Sequence, residues 1–209
     1  MSAVLETLTE RHVRDAFILA TKVFVEHSTL HKALGIRLDE YREYLRPSFE
    51  AMVNEGLSVV AISEETNEVV GCLIASDFLH HVSGNEIELG KFGPLSALTN
   101  ALNRHYASKR QIGEREAVLI DMGAVVQSEI GEGTYQAMRN SAQNVAKNAG
   151  FQWVVGELSS AATQHVVLDK LGHLKVAELF FDEFEHQGQR PFKDIASPPS
   201  IILAEGSLE

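Results

Sequence analysis

The stretch VVQSEIGEGTYQAM, Val125 to Met138, decides the fold. It leads from an apolar segment through Gly131-x-Gly133 into a helical stripe, Tyr135, Met138, Ala142, Val145 and Ala149, closed by Gly150. A strand-to-helix turn of this kind can cradle an anion, because N–H groups at a helix start point outward and the helix dipole favours negative charge there. It is neither of two common nucleotide loops. Gln136 stands where a dinucleotide fingerprint needs its third glycine, and a Walker loop would need Gly-Lys-Ser/Thr. The turn also carries Glu129 and Glu132 and no Lys or Arg. Taken alone, a glycine pair at such a place is more often only a turn.

Working outward, AVLIDMGAVV (Ala117 to Val126) precedes the turn and FQWVVGEL (Phe151 to Leu158) follows its helix. Both read as strands buried on both faces, and a buried strand, helix and second buried strand imply parallel pairing. Ser160 then caps a helix through Leu171, and strands follow at Lys175 to Phe184 and Ser200 to Glu205. Upstream, Ala3 to Thr9 reads as a short strand. Val13, Phe17, Ala20 and Phe24 make one helical stripe, with Thr9 as its cap. Leu38, Tyr41, Leu45, Phe49 and Met52 make another, in which Pro47 predicts a kink or a break. Leu57 to Ala75 reads as a hairpin around Glu64 to Glu68. The segment from Asp77 to about Gly113 is irregular except for one helix near Leu95 to Ala107. The pattern predicts a single α/β (α+β) domain over residues 1–209, with an insertion at about 77–113. Its mixed sheet has six to seven strands and carries helices on both faces.

With 18 basic and 29 acidic side chains, the chain has a net charge of −11. That leaves no basic face for nucleic acid and no attraction to an anionic membrane. The polar start MSAVLETLTERHVRD is unlike a signal peptide, and Cys72 is the only cysteine. A reduced cytoplasm is therefore the expected compartment. His27 and His31 are four apart, yet no third ligand of metal-site spacing follows; histidines of the core or surface are the simpler reading, and no metal is expected. His80 and His81 read as a loop pair.

The order of elements, with Ser128-x-x-Gly131-x-Gly133 after the fourth strand, resembles the GNAT superfamily of acetyl-CoA-dependent acetyltransferases. SSAATQHVVLDKLGH (Ser159 to His173) resembles that family's second block, with DKLGH as its Lys-x-Gly element. The last third of the chain, through FKDIASPPSIIL, is similar to the end of the arylalkylamine (dopamine-type) N-acetyltransferases. FVEHSTL (Phe24 to Leu30) lies where that group keeps an acidic segment.

The resemblance implies that acetyl-CoA is the co-substrate and that its pyrophosphate is held by the backbone of Ile130, Gly131, Glu132, Gly133 and Thr134. It further implies a splayed strand at Met122, Gly123, Ala124 and Val125 offering N–H groups to the thioester arm, and His165 at a ligand-contacting position. The group's glutamate base, which acts through water, falls in register on Ser28, and the nearest carboxylate is Glu26. Of two serines proposed as proton donors in the group, Ser160 matches the first and Gln164 replaces the second. The expected reaction is direct attack of a small primary amine on acetyl-CoA, with catalytic candidates Glu26, Ser28 and Ser160; His27 is an alternative base. The insertion is expected to line the acceptor side, with Phe92 or Tyr106 as aromatic walls. A degenerate, non-catalytic member that binds CoA, and a protein holding some other small ligand in the same cleft, are the alternatives. A homodimer is one assembly open to it.

Overall fold

The computed structural model of the protein describes residues 3–82 and 90–208. Seven strands form one sheet: β1 (Ala3–Thr7), β2 (Val59–Ser63), β3 (Val69–Asp77), β4 (Ala117–Val125), β5 (Trp153–Leu158), β6 (Leu174–Phe180) and β7 (Ser200–Ser207), in the spatial order β1-β2-β3-β4-β5-β7-β6. Only the β4–β5 pair is parallel, as the strand-helix-strand pattern predicts.

The helices are α1 (Glu10–His27), α2 (Thr29–Ala33), α3 (Leu38–Asn54), α4 (Phe78–Val82), α5 (Gly93–Lys109), α6 (Thr134–Asn148) and α7 (Ala161–Gln164). The last of these continues as a π-helical turn over His165–Lys170. Thr9 caps α1 as expected. Pro47 does not break α3, which runs unbroken past it. The insertion is more helical than its sequence suggests, since α4 opens it and α5 occupies seventeen residues of it; residues 83–89 lie outside the described part.

Apolar residues sort the helices onto two faces. On one, α1 and α3 bury Phe17, Ala20, Phe49 and Met52 against Val60, Cys72, Ile74, Met122 and Ala124. On the same face α5 covers the other half of the sheet, setting Leu98, Leu102 and Tyr106 on Leu119, Val155 and Leu203. On the opposite face α6 buries Met138, Ala142 and Ala146 against Val118, Ile120 and Val154. The π-helical turn closes the far half with Val167 against Leu158 and Ala204.

Titratable groups are also buried in this core. Cys72 is buried, its Sγ lies 3.6 Å from the Ala16 carbonyl, and burial pushes its thiol pKa up to about 12. Glu205 is buried on β7; it accepts from the Tyr106 hydroxyl and from Arg110 Nη1 at 2.6 Å, while the Arg110 guanidinium lies 3.7 Å from the Trp153 ring centre. Burial, then Glu205, raise the Tyr106 phenol well above its ordinary range. Among the described residues, no helix is long and apolar enough to cross a membrane.

Candidate active site

The β4–β5 ladder begins at Ala117 and Trp153 and ends at Ile120 and Gly156. Beyond it the strands separate, and β4 from Met122 to Val125 keeps pairing only with β3. The sheet therefore opens in a wedge at its centre. On that side the Met122, Gly123, Ala124 and Val125 backbone has no strand partner, which leaves it available to a ligand. A cavity of about 810 Å³ runs through this wedge and is lined from both faces of the sheet. On one face stand Tyr41 and Tyr44 of α3, Asp121, Glu157 and the α5 residues Ser96 and Thr99; on the other stand Tyr135, Arg139 and Ser160.

Asp121 owes its place to a β-bulge. Ile74 pairs with Met122 and Ala75 with Ile120, so Asp121 is the extra residue between them. Bulges re-aim a side chain, and this one turns a carboxylate out of an otherwise apolar strand into the cavity. Its charge reaches the aromatic wall: the Tyr41 and Tyr44 phenols are raised first by burial and then by Asp121. Tyr44 is backed by Phe92, stacked with ring centres 4.1 Å apart. A carboxylate beside aromatic rings is a natural receptor for a small ammonium group.

Next to this wall, Ser28 caps α2 and its Oγ lies 3.0 Å from His31 Nδ1. His31 is buried, its ring centre is 4.5 Å from that of Tyr41, and its Nε2 has no hydrogen-bond partner although both residues line the cavity. Burial lowers the His31 pKa from 6.5 to about 4, so the ring is neutral near pH 7. Between those two values the unfolded chain binds the proton and the native one does not. His31 thus favours folding above about pH 6.5, and that contribution fades as pH falls towards 4. Thermal midpoints measured from pH 7 to 4 are expected to fall, and His31→Phe to flatten part of the fall; an unchanged slope would contradict this. His173, lowered to about 4 by burial and then by Arg139, contributes with the same sign.

On the opposite face α6 presents Tyr135 and, one turn on, Arg139. Arg139 is almost wholly buried; its Nε donates to the Tyr135 hydroxyl at 2.9 Å, and its Nη1 has no partner. Two glycines on the splayed strands make room for this pair. A Cβ on Gly123 would stand 2.5 Å from the Tyr135 ring, and one on Gly156 would stand 2.7 Å from Arg139 Nη1. Ser160 caps α7, accepting from the Thr163 amide at 3.1 Å, and its Oγ is 3.0 Å from Thr163 Oγ1.

The Gly-x-Gly turn lies at the rim of this face. Gly131 and Gly133 have φ of +88° and +86°, the left-handed region that glycine enters without a Cβ penalty. Ile130, Gly131, Glu132 and Gly133 are exposed, and Thr134 starts α6. Of the turn's two acids, Glu132 faces solvent and Glu129 does not. The latter is 1% exposed and folds under the turn, where the Thr134 hydroxyl donates to its carboxylate.

Several expected site residues lie elsewhere. Because α1 continues through His27, the Glu26 side chain is carried to solvent beside His27 and does not line the cavity; Ser28 does. His165 is exposed and paired with Asp169 at 2.8 Å, away from the cavity. Phe92 does not line the cavity itself but backs Tyr44 and Tyr41, which do, and Tyr106 is committed to the α5–β7 core. Asp121 and Arg139 were not singled out in the sequence, and His31 was noted there only as a histidine of the core or surface. A lone aspartate inside AVLIDMGAVV was the available signal for the first.

No family model matches the sequence, and no curated protein matches it. Solved structures do, over the whole chain. The C-terminal condensation domain of Ebony, solved in complex with beta-alanyl-dopamine, superposes with a TM-score of 0.88 at 16% identity, covering 99% of both chains. The chain has the GNAT fold. Arylalkylamine N-acetyltransferase 2 from Aedes aegypti superposes at 0.79 with 16% identity over all of both chains, and the polyamine N-acetyltransferase of Drosophila melanogaster at 0.76 with 15% identity over 99% and 100%. In this GNAT-like fold the wedge between β4 and β5 joins an acidic, aromatic chamber on one face to the Gly-x-Gly turn and Arg139 on the other.

Proposed function

We propose that the protein is an N-acyltransferase that moves an acetyl group from a pantetheine thioester such as acetyl-CoA to a small primary amine. The observation that carries this reading is Asp121, a carboxylate turned by a bulge into an aromatic chamber at the point where the sheet opens. An amine reaches this chamber as its ammonium form, which has no lone pair to attack with. Asp121 attracts the cation and accepts its proton, directly or through one water. The freed nitrogen attacks the thioester carbon, whose oxygen is polarised by a β4 backbone N–H in the wedge. The C–S bond then breaks, and the proton that the attacking nitrogen sheds as it becomes an amide passes through Ser160 or water to the departing thiolate. Neutral His31, held by Ser28, orients the acceptor through Nε2. No covalent enzyme intermediate is needed.

The similar structures support this chemistry by their own substrates: amines are named for the insect arylalkylamine and polyamine N-acetyltransferases. Buried Glu129 favours a second reading, a GNAT domain that binds a small ligand without turnover. Thiol release from acetyl-CoA and from S-acetylpantetheine, with a panel of arylalkylamines and polyamines, tests the proposal. Amine-dependent release that saturates in both substrates is expected. Silence with every amine, together with a thermal shift from the ligands alone, would establish the second reading instead.

A further inference from the structure

Resting on the acyl-transfer reading, we infer that Glu129 sets a buried negative charge directly beneath the place that a donor's pyrophosphate would take, so that the protein selects thioesters whose thiol arm ends without a pyrophosphate. A carboxylate is almost never fully buried unless something holds it. Glu129 is 1% exposed, one of its oxygens accepts from the Thr134 hydroxyl, and the other has no hydrogen-bond partner. Thr134 is the first residue of the fifteen-residue α6, so the carboxylate lies at that helix's positive end. The turn's shape for an anion is intact, since Gly131 and Gly133 keep positive φ with nothing within 4 Å of where a Cβ would stand. The chain thus keeps the turn but sets a buried carboxylate against it from below. Glu132 adds a second, exposed negative charge, and no Lys or Arg from Val125 to Met138 offsets either.

The part of the channel that would hold the thiol arm is built differently. Tyr135 and Arg139 line it, the latter with an unpartnered Nη1 able to donate to an amide carbonyl, and the β4 backbone beyond Ile120 is open on that side. Recognition is therefore kept along the arm and withdrawn at the pyrophosphate. A pantetheine thioester supplies such an arm, whether it is free or attached to a larger carrier through a single phosphoester.

The test compares acetyl-CoA, S-acetyl-4′-phosphopantetheine and S-acetylpantetheine as donors for wild type and Glu129→Gln. Wild type is expected to use S-acetylpantetheine at least as well as acetyl-CoA by kcat/KM. In Glu129→Gln the ratio of acetyl-CoA to S-acetylpantetheine should rise by about two- to thirtyfold, the span of a charge effect at a helix terminus. If the phosphopantetheine donor matches S-acetylpantetheine, the arm comes on a carrier; if it is poorer, the free thioester is the donor. Both results agree with the inference. A wild type that prefers acetyl-CoA by more than tenfold overturns it, as does an unmoved ratio in Glu129→Gln, including one accompanied by a lower melting temperature, which would make Glu129 a helix cap only. Should Glu129→Gln fail to fold, Glu132→Gln must still raise the ratio, and more at low salt. Should no thioester react, the acyl-transfer reading fails separately, and calorimetry with CoA and pantetheine decides this inference: tighter CoA binding by wild type overturns it.

Discussion

Asp121→Asn is expected to lower turnover by about 10²-fold or more at saturating donor and amine, because a positioned general base contributes at least that much. The substitution keeps size and bulge geometry while removing both the negative charge and the proton acceptor. Two further readouts separate catalysis from structure. The KM for the amine should rise, since the aromatic chamber loses the carboxylate that attracts the ammonium, while the donor KM stays in place. The deficit should also shrink as pH rises and more of the amine arrives already deprotonated. A loss confined to low amine concentration would leave Asp121 as a cation anchor only. An equal loss at every pH, with a lower melting temperature, would make its role structural.

The largest stability effect is expected at Arg110. Arg110→Met leaves the Glu205 carboxylate buried on β7 with the Tyr106 hydroxyl as its only remaining described partner. Removing one partner of a buried ion pair costs about 3–5 kcal/mol, since the remaining charge keeps its desolvation penalty. Loss of the guanidinium stacked on Trp153 adds to this. Urea denaturation should show the midpoint falling with little change in slope. Arg110→Met combined with Glu205→Leu should recover most of the loss, because no uncompensated charge is then left inside. Failure of the double variant to recover would place the cost in lost packing.

How much of this was legible in the sequence depended on the kind of signal. The helical stripes, the β4–α6–β5 unit and the Gly-x-Gly turn follow from apolar periodicity and from glycine's conformational freedom, which are local properties. Element edges shifted by a few residues: β6 ends at Phe180 rather than Phe184, and β5 starts at Trp153 rather than Phe151. The site was less legible because it depends on which way side chains are turned. Nothing local in AVLIDMGAVV announces a bulge, yet the bulge converts a strand that reads as buried on both faces into the support of an acidic group. Arg139 follows Tyr135 at the spacing that puts both on one helix face, but its burial depends on Gly156, seventeen residues away on another strand. The family resemblance directed attention to Glu26 and Ser28, and only the continuation of α1 through His27 separates the two, one in solvent and one in the cavity. Glu129 reads as a surface acid in any window of sequence; a neighbouring hydroxyl and a fold-back of the turn bury it.

The lone thiol of β3 has a practical consequence. Cys72 is buried with its pKa pushed up to about 12, so at neutral pH the native protein presents almost no thiolate to a chromogenic disulfide reagent. A thiol-release assay on this protein therefore starts from a blank of nearly zero, and every rapid absorbance change counts product. Left running without substrate, the same cuvette becomes a stopwatch for the sheet, because Cys72 can be labelled only when α1 lifts from β3. Added donor or amine should slow that drift in proportion to occupancy, giving a binding curve for ligands that are never turned over.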